Sequence, residues 1–235
     1  GMFAFALWDG PRRTLLLARD RLGIKPLYYS WGGSRLLFAS EIKAILAAGF
    51  GPARPNLRAI WDYLTFRYVP EPATIWEGIF KLPPGHLLAM ELDRSGPPRP
   101  KRYWELRYAP EPAPFDERAD VGQFSALLLD AVRRQLVADV PVGILLSGGI
   151  DSSAVTAAAV EARGREVRTF SVAFVGGGAY DERPFARQVA ERLDAVHVES
   201  DAVRRQLFPE PAYTPGEHAA VFARAAALAA DALAE

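Results

Sequence analysis

The sequence predicts an α+β half followed by an α/β half: a partial layered β-sandwich, then a domain built on a parallel sheet. Three observations point there. Short apolar runs around Gly/Pro turns dominate as far as residue 92, and prolines crowd residues 93–120. From Val121 onward, helix and strand patterns alternate.

Residues 2–8 and 14–18 are apolar runs flanking a turn at Asp9-Gly10, a β-hairpin signal. Residues 26–31 and 35–39 flank Gly32-Gly33 in the same way. Their near-continuous hydrophobicity predicts strands buried on both faces. A short helix over 41–48 ends at Gly49, and residues 61–66 read equally as helix or strand. These elements make a first domain, 1–92. Pro97, Pro98, Pro100, Pro110, Pro112 and Pro114 then disfavour regular structure, so 93–120 reads as a linker. In the second domain, 121–200, Phe124, Leu127, Leu128, Ala131 and Leu136 share one helical face. Strand 142–146, helix 152–162, strand 167–174, helix 184–193 and strand 195–198 follow. This βαβαβ order implies a parallel sheet. Phe185, Val189 and Leu193 form an i, i+4, i+8 stripe that reads as core. Residues 201–235 are an atypical tail, alanine-rich and helix-like from Gly216.

Lys plus Arg and Asp plus Glu number 28 each, which gives no reason to expect nucleic acid or an anionic membrane as partner. No apolar stretch approaches the ~20 residues of a membrane span, and a cytoplasmic location is the expectation. Cysteine is absent, which excludes disulfides, thiolate-held zinc and a thiol nucleophile within these residues. His86, His197 and His218 lie far apart, an unpromising set for a metal site or a Ser-His-Asp triad. The chain opens directly on a strand pattern, as if cut from something longer.

The chemistry lies in Ser147-Gly-Gly-Ile-Asp-Ser-Ser153, between the apolar strand ending at Leu146 and an apolar helix. Two glycines let backbone approach a phosphate closely, and the N–H groups and positive dipole of the helix start favour an anion. Ser147, Ser152 and Ser153 add hydroxyls, while Asp151 can hold a Mg²⁺ that neutralises a leaving pyrophosphate. Ser-Gly-Gly alone could be a simple turn, with Asp151 or Ser152 as helix cap. No Gly-Lys-Ser/Thr follows, so this is not a Walker loop, nor is it Gly-x-Gly-x-x-Gly. The full string between strand and helix favours the phosphate-binding reading.

That string resembles the signature of the ATP-pyrophosphatase superfamily, which cleaves ATP between the α- and β-phosphates. Residues 1–9, 19–29 and 38–44 are similar to the later half of the class II (Ntn-type) glutamine amidotransferase domain of asparagine synthetases. Leu82-Pro-Pro-Gly-His86 and Tyr103-Trp104 resemble its exit toward the synthetase domain; residues 169–174 and 180–186 resemble the second strand and helix of that domain. The resemblance covers roughly residues 1–200. It implies ATP and Mg²⁺ as cofactors, with Leu145, Ser147, Gly148, Gly149, Asp151, Ser152, Ser153 and Val172 at the ATP and Asp151 at the metal. It implies amidation of aspartate through a β-aspartyl adenylate with ammonia from glutamine, and leaves a homodimer open for the full-length protein. Arg19-Asp20, Lys25-Pro26 and His86 read as structural.

The family's glutaminase uses an N-terminal Cys, which would precede Gly1, and its second phosphate loop and aspartate site find no match here. A truncation or a reading-frame change near the end would explain both. The alternatives are a non-catalytic nucleotide-binding fragment or a related amidotransferase acting on another carboxylate, and this chain alone is expected to be inactive. With no cysteine in the sequence, the purified chain should release no ammonia from glutamine. A steady ammonia signal in a coupled assay, persisting through repurification, would refute this.

Overall fold

The computed structural model describes residues 1–32, 35–49, 53–93, 96–108, 116–164, 167–172 and 181–208. Beyond these it describes 214, 216–217, 219–221, 223–224 and 227. Pro110, Pro112, Pro114, the end of the predicted strand at Phe174, Tyr180 and most of the alanine-rich tail lie outside them. The chain forms two compact units, Gly1–Glu111 and Pro112–Glu235.

In the first unit, β1 (Ala4–Asp9) and β2 (Thr14–Arg19) form the predicted hairpin. Its turn is tied by Asp9 Oδ1, which accepts the Arg12 N–H at 3.1 Å. Strands β3 (Tyr28–Gly32) and β4 (Arg35–Ala39) form the second hairpin, followed by α1 (Ile42–Ala47). The ambiguous run becomes the end of α2 (Leu57–Phe66), because Asn56 caps the helix start by accepting the Ala59 N–H at 3.1 Å. Strands β5 (Ile79–Lys81), β6 (His86–Glu91) and β7 (Pro100–Arg102) complete two antiparallel sheets, ordered β1-β2-β6-β7 and β4-β3-β5. Leu17 and Leu88 from one sheet meet Tyr29 from the other, with Leu27 and Leu82, in one buried cluster. The two antiparallel sheets thus share one buried cluster.

Two expectations need correction. Strand β7 falls inside the stretch predicted as irregular linker; its Pro100 opens a sheet-edge strand, where the missing N–H costs nothing. Strand β1 is not buried on both faces: Phe5 and Leu7 on one face and Trp8 on the other are about half exposed.

A buried polar pair ties the two sheets together. The Arg19 guanidinium donates to Glu71 Oε1 at 2.8 Å and to the carbonyls of Lys25, Leu82 and Gly23 at 2.9, 2.7 and 2.7 Å. Asp20, 1% exposed, accepts from the N–H groups of Leu22, Ile24 and Lys25 at 3.1, 3.0 and 2.9 Å. The Asp20 carbonyl accepts the Gly85 N–H at 2.9 Å, and the Tyr103 hydroxyl donates to the Arg19 carbonyl at 2.7 Å. Gly85 has no substitute there: its φ is 66°, and a Cβ would lie 2.5 Å from the Trp104 carbonyl oxygen. The structural reading of Arg19-Asp20 in the sequence fits this arrangement.

The second unit opens with α3 (Glu117–Gln135), capped by Asp116 and carrying acidic residues in its first turn and Arg133 and Arg134 in its last, as the helix dipole prefers. Then come β8 (Gly143–Leu145), α4 (Ile150–Arg163), β9 (Arg168–Ser171), α5 (Arg183–Arg192), β10 (Val196–Glu199) and α6 (Ser200–Leu207). The sheet is parallel with order β10-β9-β8, as the alternation predicts. Both crossovers step the same way, so right-handed connections place α4 and α5 on one face. Ile144 packs with Val132, Leu136, Ala158 and Ala159 of α3 and α4, while Leu146 packs with Ala186 and Ala190 of α5. The strand at β8 is thus buried on one face only.

Helix faces differ from expectation too. Phe124, Leu127 and Ala131 of α3 are exposed, and Leu128, Leu129, Val132 and Leu136 make the contact. On α5, Phe185 points outward and the small Ala186 and Ala190 are buried, with Val189 beside them. Small side chains let the helix sit close to the sheet, an arrangement that a stripe of large apolar residues does not reveal.

Burial raises the Asp20 carboxyl's affinity for its proton, but the backbone N–H groups that hold its anion outweigh this, and its pKa lies below the ordinary value. A depressed folded pKa contributes stability that is present above the unfolded aspartate value, about 4, and is lost as pH falls through the folded one. The first unit should therefore lose stability below about pH 4. Asp20→Asn, leaving donors without their anion, should cost about 1–3 kcal/mol at pH 7 and flatten that acid limb in pH-dependent denaturant melts.

Candidate functional site

The candidate loop leaves β8 through Leu146, whose N–H donates to the Phe170 carbonyl at 2.9 Å and whose side chain is 2% exposed. Three residues intervene before α4 begins at Ile150. That turn is possible because Gly148 adopts φ 81°. A Cβ there would lie 2.5 Å from Phe185 Cβ and 2.6 Å from the Ala186 nitrogen. The loop thus rests against the first turn of α5. That turn is itself set by Arg183, which grips Asp181 with Nε at 2.8 Å and a terminal nitrogen at 2.6 Å. The Arg183 hydrogen bonds hold the Asp181 carboxyl below its ordinary pKa.

Within the loop, the serines bond to each other and to backbone. Ser147 Oγ lies 3.0 Å from Ser152 Oγ and accepts the Gly149 N–H at 3.3 Å. Ser152 Oγ donates to the Gly149 carbonyl at 3.2 Å and accepts the Ser147 N–H at 3.3 Å. Gly149 is the helix cap, so Asp151 and Ser152 are not; they occupy the second and third helical positions, and no side chain caps the end. Among the described residues, two groups have no protein partner. Ser153 Oγ is buried and makes no hydrogen bond. Asp151 is exposed in the first turn, and no described residue bonds to its carboxylate. An orphan hydroxyl and unpaired N–H groups at a positive helix end fit a phosphate, which accepts from both.

Leu145 stands in register with Phe170 on β9, on the sheet face opposite α4 and α5. It is 74% exposed, and Val172, just past the end of β9, is 53% exposed. Both lie at the carboxyl ends of parallel strands, beside the loop and where α/β sheets bind ligands. All eight predicted residues therefore fall at one end of one sheet. Among the described residues no group of three or more His, Asp or Glu could hold a metal ion alone.

Sequence reasoning missed a polar network beneath this end of the sheet. Ser171 Oγ donates to the Leu146 carbonyl at 2.6 Å and lies 3.3 Å from His197 Nε2, while Thr169 Oγ1 lies 2.7 Å from His197 Nδ1. Its signal was the period-two pairing of Thr169 and Ser171 with His197 and Glu199 across adjacent strands.

Residues 1–104 match the family described as a glutamine amidotransferase domain, and residues 123–227 the one described as asparagine synthase. Asparagine synthetase [glutamine-hydrolyzing] 3 of Bacillus subtilis is 37% identical over 84% of this chain and 34% of its own length. Asparagine synthetase [glutamine-hydrolyzing] 1 of the same organism is 35% identical over 84% of this chain and 30% of its own. Amidase chyE of Penicillium rubens is 37% identical over 82% of this chain and 30% of its own. The chain thus spans about a third of the length of these relatives. A solved NH3-dependent NAD synthetase from Campylobacter jejuni covers 48% of the chain at 17% identity and TM-score 0.29, an overlap too slight to bear on the fold.

Gly148→Ala meets both a left-handed backbone and a collision with α5. It should destabilise the second unit by about 1–3 kcal/mol. Chemical denaturation followed by hydrogen exchange resolved to each unit would show the loss after Pro112 only; an unchanged second unit would contradict this geometry.

Proposed function

This chain belongs to the family of glutamine-hydrolysing asparagine synthetases, and on that premise we propose that it supplies the nucleotide site of an ATP-dependent amidation. In the whole protein, the β-carboxylate of aspartate becomes an adenylate and ammonia from glutamine displaces AMP. One observation supports the nucleotide reading most: the glycine turn at the carboxyl end of the parallel sheet leaves Ser153 Oγ and the α4 N-terminus without partners.

In this reading the residues divide the task. The N–H groups around Gly148 and Gly149 approach phosphate oxygens closely because no Cβ intervenes. Ser153, whose hydroxyl has no partner among the described residues, donates to the same oxygens. Ser147 and Ser152 hold the loop in shape beforehand through their bond to each other and to the Gly149 carbonyl, and turn their hydroxyls to the phosphate when it binds. Leu145 and Val172 offer an apolar surface for the adenine. Asp151 would hold Mg²⁺, whose charge offsets that developing on the departing pyrophosphate. A single carboxylate fits that ion, which takes few protein ligands and completes its shell with phosphate oxygens and water.

A second reading concerns the acceptor. A fungal relative named as an amidase is as similar to this chain as the asparagine synthetases are, which favours as second reading a related amidotransferase acting on another carboxylate.

The test uses this chain fused to the remaining length of its relatives. ATP turnover with aspartate and ammonia should yield AMP and pyrophosphate; ADP and phosphate would overturn the assignment. Asp151→Asn should lower pyrophosphate release by ~10²–10³, the effect of removing one preorganised electrostatic group. Its fold should survive, since Asp151 makes no capping bond and only its charge near the helix dipole is lost, about 0.3–1 kcal/mol. Near-normal turnover would remove Asp151 from the metal site.

A further inference from the structure

We propose that His197 is a positioning residue for the candidate phosphate loop, its Nε2–H holding the Ser171 hydroxyl on the Leu146 carbonyl, from which the loop departs. This rests on reading residues 147–153 as the phosphate site, and concerns what fixes that site in place.

The argument is a count of hydrogens. Ser171 has one hydroxyl proton, and the Leu146 carbonyl takes it at 2.6 Å. Its oxygen can then only accept from the ring nitrogen 3.3 Å away, so His197 Nε2 carries a proton. The Thr169 hydroxyl has two acceptors in reach, His197 Nδ1 at 2.7 Å and the Val196 carbonyl at 3.2 Å. The shorter contact is the bond made, and it requires Nδ1 without a proton. Both contacts then agree on one neutral tautomer. Burial lowers the His197 pKa, outweighing the neighbouring Glu199 and reinforced by Arg187, and this supports a neutral ring. Glu199 does not compete for Nε2–H: its Oε1 is 3.8 Å away and accepts from Arg187 at 2.8 Å. The opposite tautomer would set the Nε2 lone pair against a Ser171 oxygen with no proton to offer it. Turning that proton onto Nε2 would strip a buried carbonyl of its donor.

The chain therefore runs in one direction: Thr169 hydroxyl to Nδ1, Nε2–H to Ser171, Ser171 hydroxyl to the Leu146 carbonyl. It spans β10, β9 and β8 and ends one residue before Ser147. Thr169, Ser171 and Leu146 are all buried, so water cannot replace a missing link cheaply. Free rotation of the Ser171 hydroxyl would otherwise leave the end of the last strand to the single Leu146 N–H bond to Phe170.

The test reads the tautomer first, in the unsubstituted chain with ¹⁵N-labelled histidine. A correlation spectrum should place the His197 proton on Nε2; a proton on Nδ1 alone overturns the proposal without any variant. Hydrogen exchange at the Leu146 and Ser147 amides then reports the loop. His197→Ala should speed it about ten-fold, and His197→Gln, which retains a side-chain N–H, should restore most of the protection. Ser171→Ala should match His197→Ala, with the double variant no worse than either. Equal protection in His197→Ala and the parent, or no rescue by glutamine, counts against the role. Titration with ATP·Mg²⁺ separates the two readings. If the tautomer and exchange results hold while the parent binds no ATP·Mg²⁺, the positioning stands and the phosphate reading falls.

Discussion

Three residues separate the buried Leu146, just past β8, from the first helical residue, Ile150. Within that distance the backbone must reverse from extended to helical while α5 presses against it from the side. Only a residue without Cβ and at home at positive φ satisfies both conditions at Gly148. The consequences spread outward. The tight turn aims the N-terminus of α4 past the end of the sheet, leaves its first N–H groups without capping side chains, and sets the loop serines close enough to bond one another. The contact with Phe185 and Ala186 makes the position of α5, and the Arg183–Asp181 grip before it, part of the same local geometry.

The two units treat buried polar groups in opposite ways. Around Arg19 and Asp20, donors meet acceptors until the guanidinium and the carboxylate are enclosed in hydrogen bonds. Such a cluster fixes the sandwich and leaves no group to bind anything further. At the start of α4, among the described residues, the buried Ser153 hydroxyl is left over, with the exposed Asp151 carboxylate beside it. A buried polar group left unmet costs stability, and a group that accepts from it would recover that cost.

Much of this was legible in the sequence, for physical reasons. Hairpins announce themselves because turn chemistry is local, and the parallel sheet follows from alternating periods. The loop was legible as a string because its conformation demands glycine. What remained hidden depended on neighbours. Phe185 outranks Ala186 on any hydrophobic stripe, yet the close approach of α5 to Leu146 selects the small residue for the interior. In α3 the predicted face ran through Phe124, Leu127 and Ala131, while the helix turns Leu129 and Val132 to the core beside Leu128 and Leu136. The helix ending in the run 61–66 was decided by Asn56, outside that run. The His197 network escaped because a hydroxyl and an imidazole meet only once the register of β9 and β10 is known.

Strand β1 lies at the margin of its sheet, with β2 as its one pairing strand among the described residues, and it shows Phe5, Leu7 and Trp8 to solvent. Six residues of regular backbone there present a row of amide and carbonyl groups with exposed apolar side chains on both faces, the combination that templates another extended chain. The other sheet margins among the described residues are shorter: β5, β7 and β8 have three residues, β10 four and β4 five, and they offer less for such pairing. Edge-to-edge growth of this polypeptide would therefore favour residues 4–9, the longest of these margins, over the short strand that leads into residues 147–153. A lysine placed on that strand would block such growth while leaving Ser147 and its neighbours untouched.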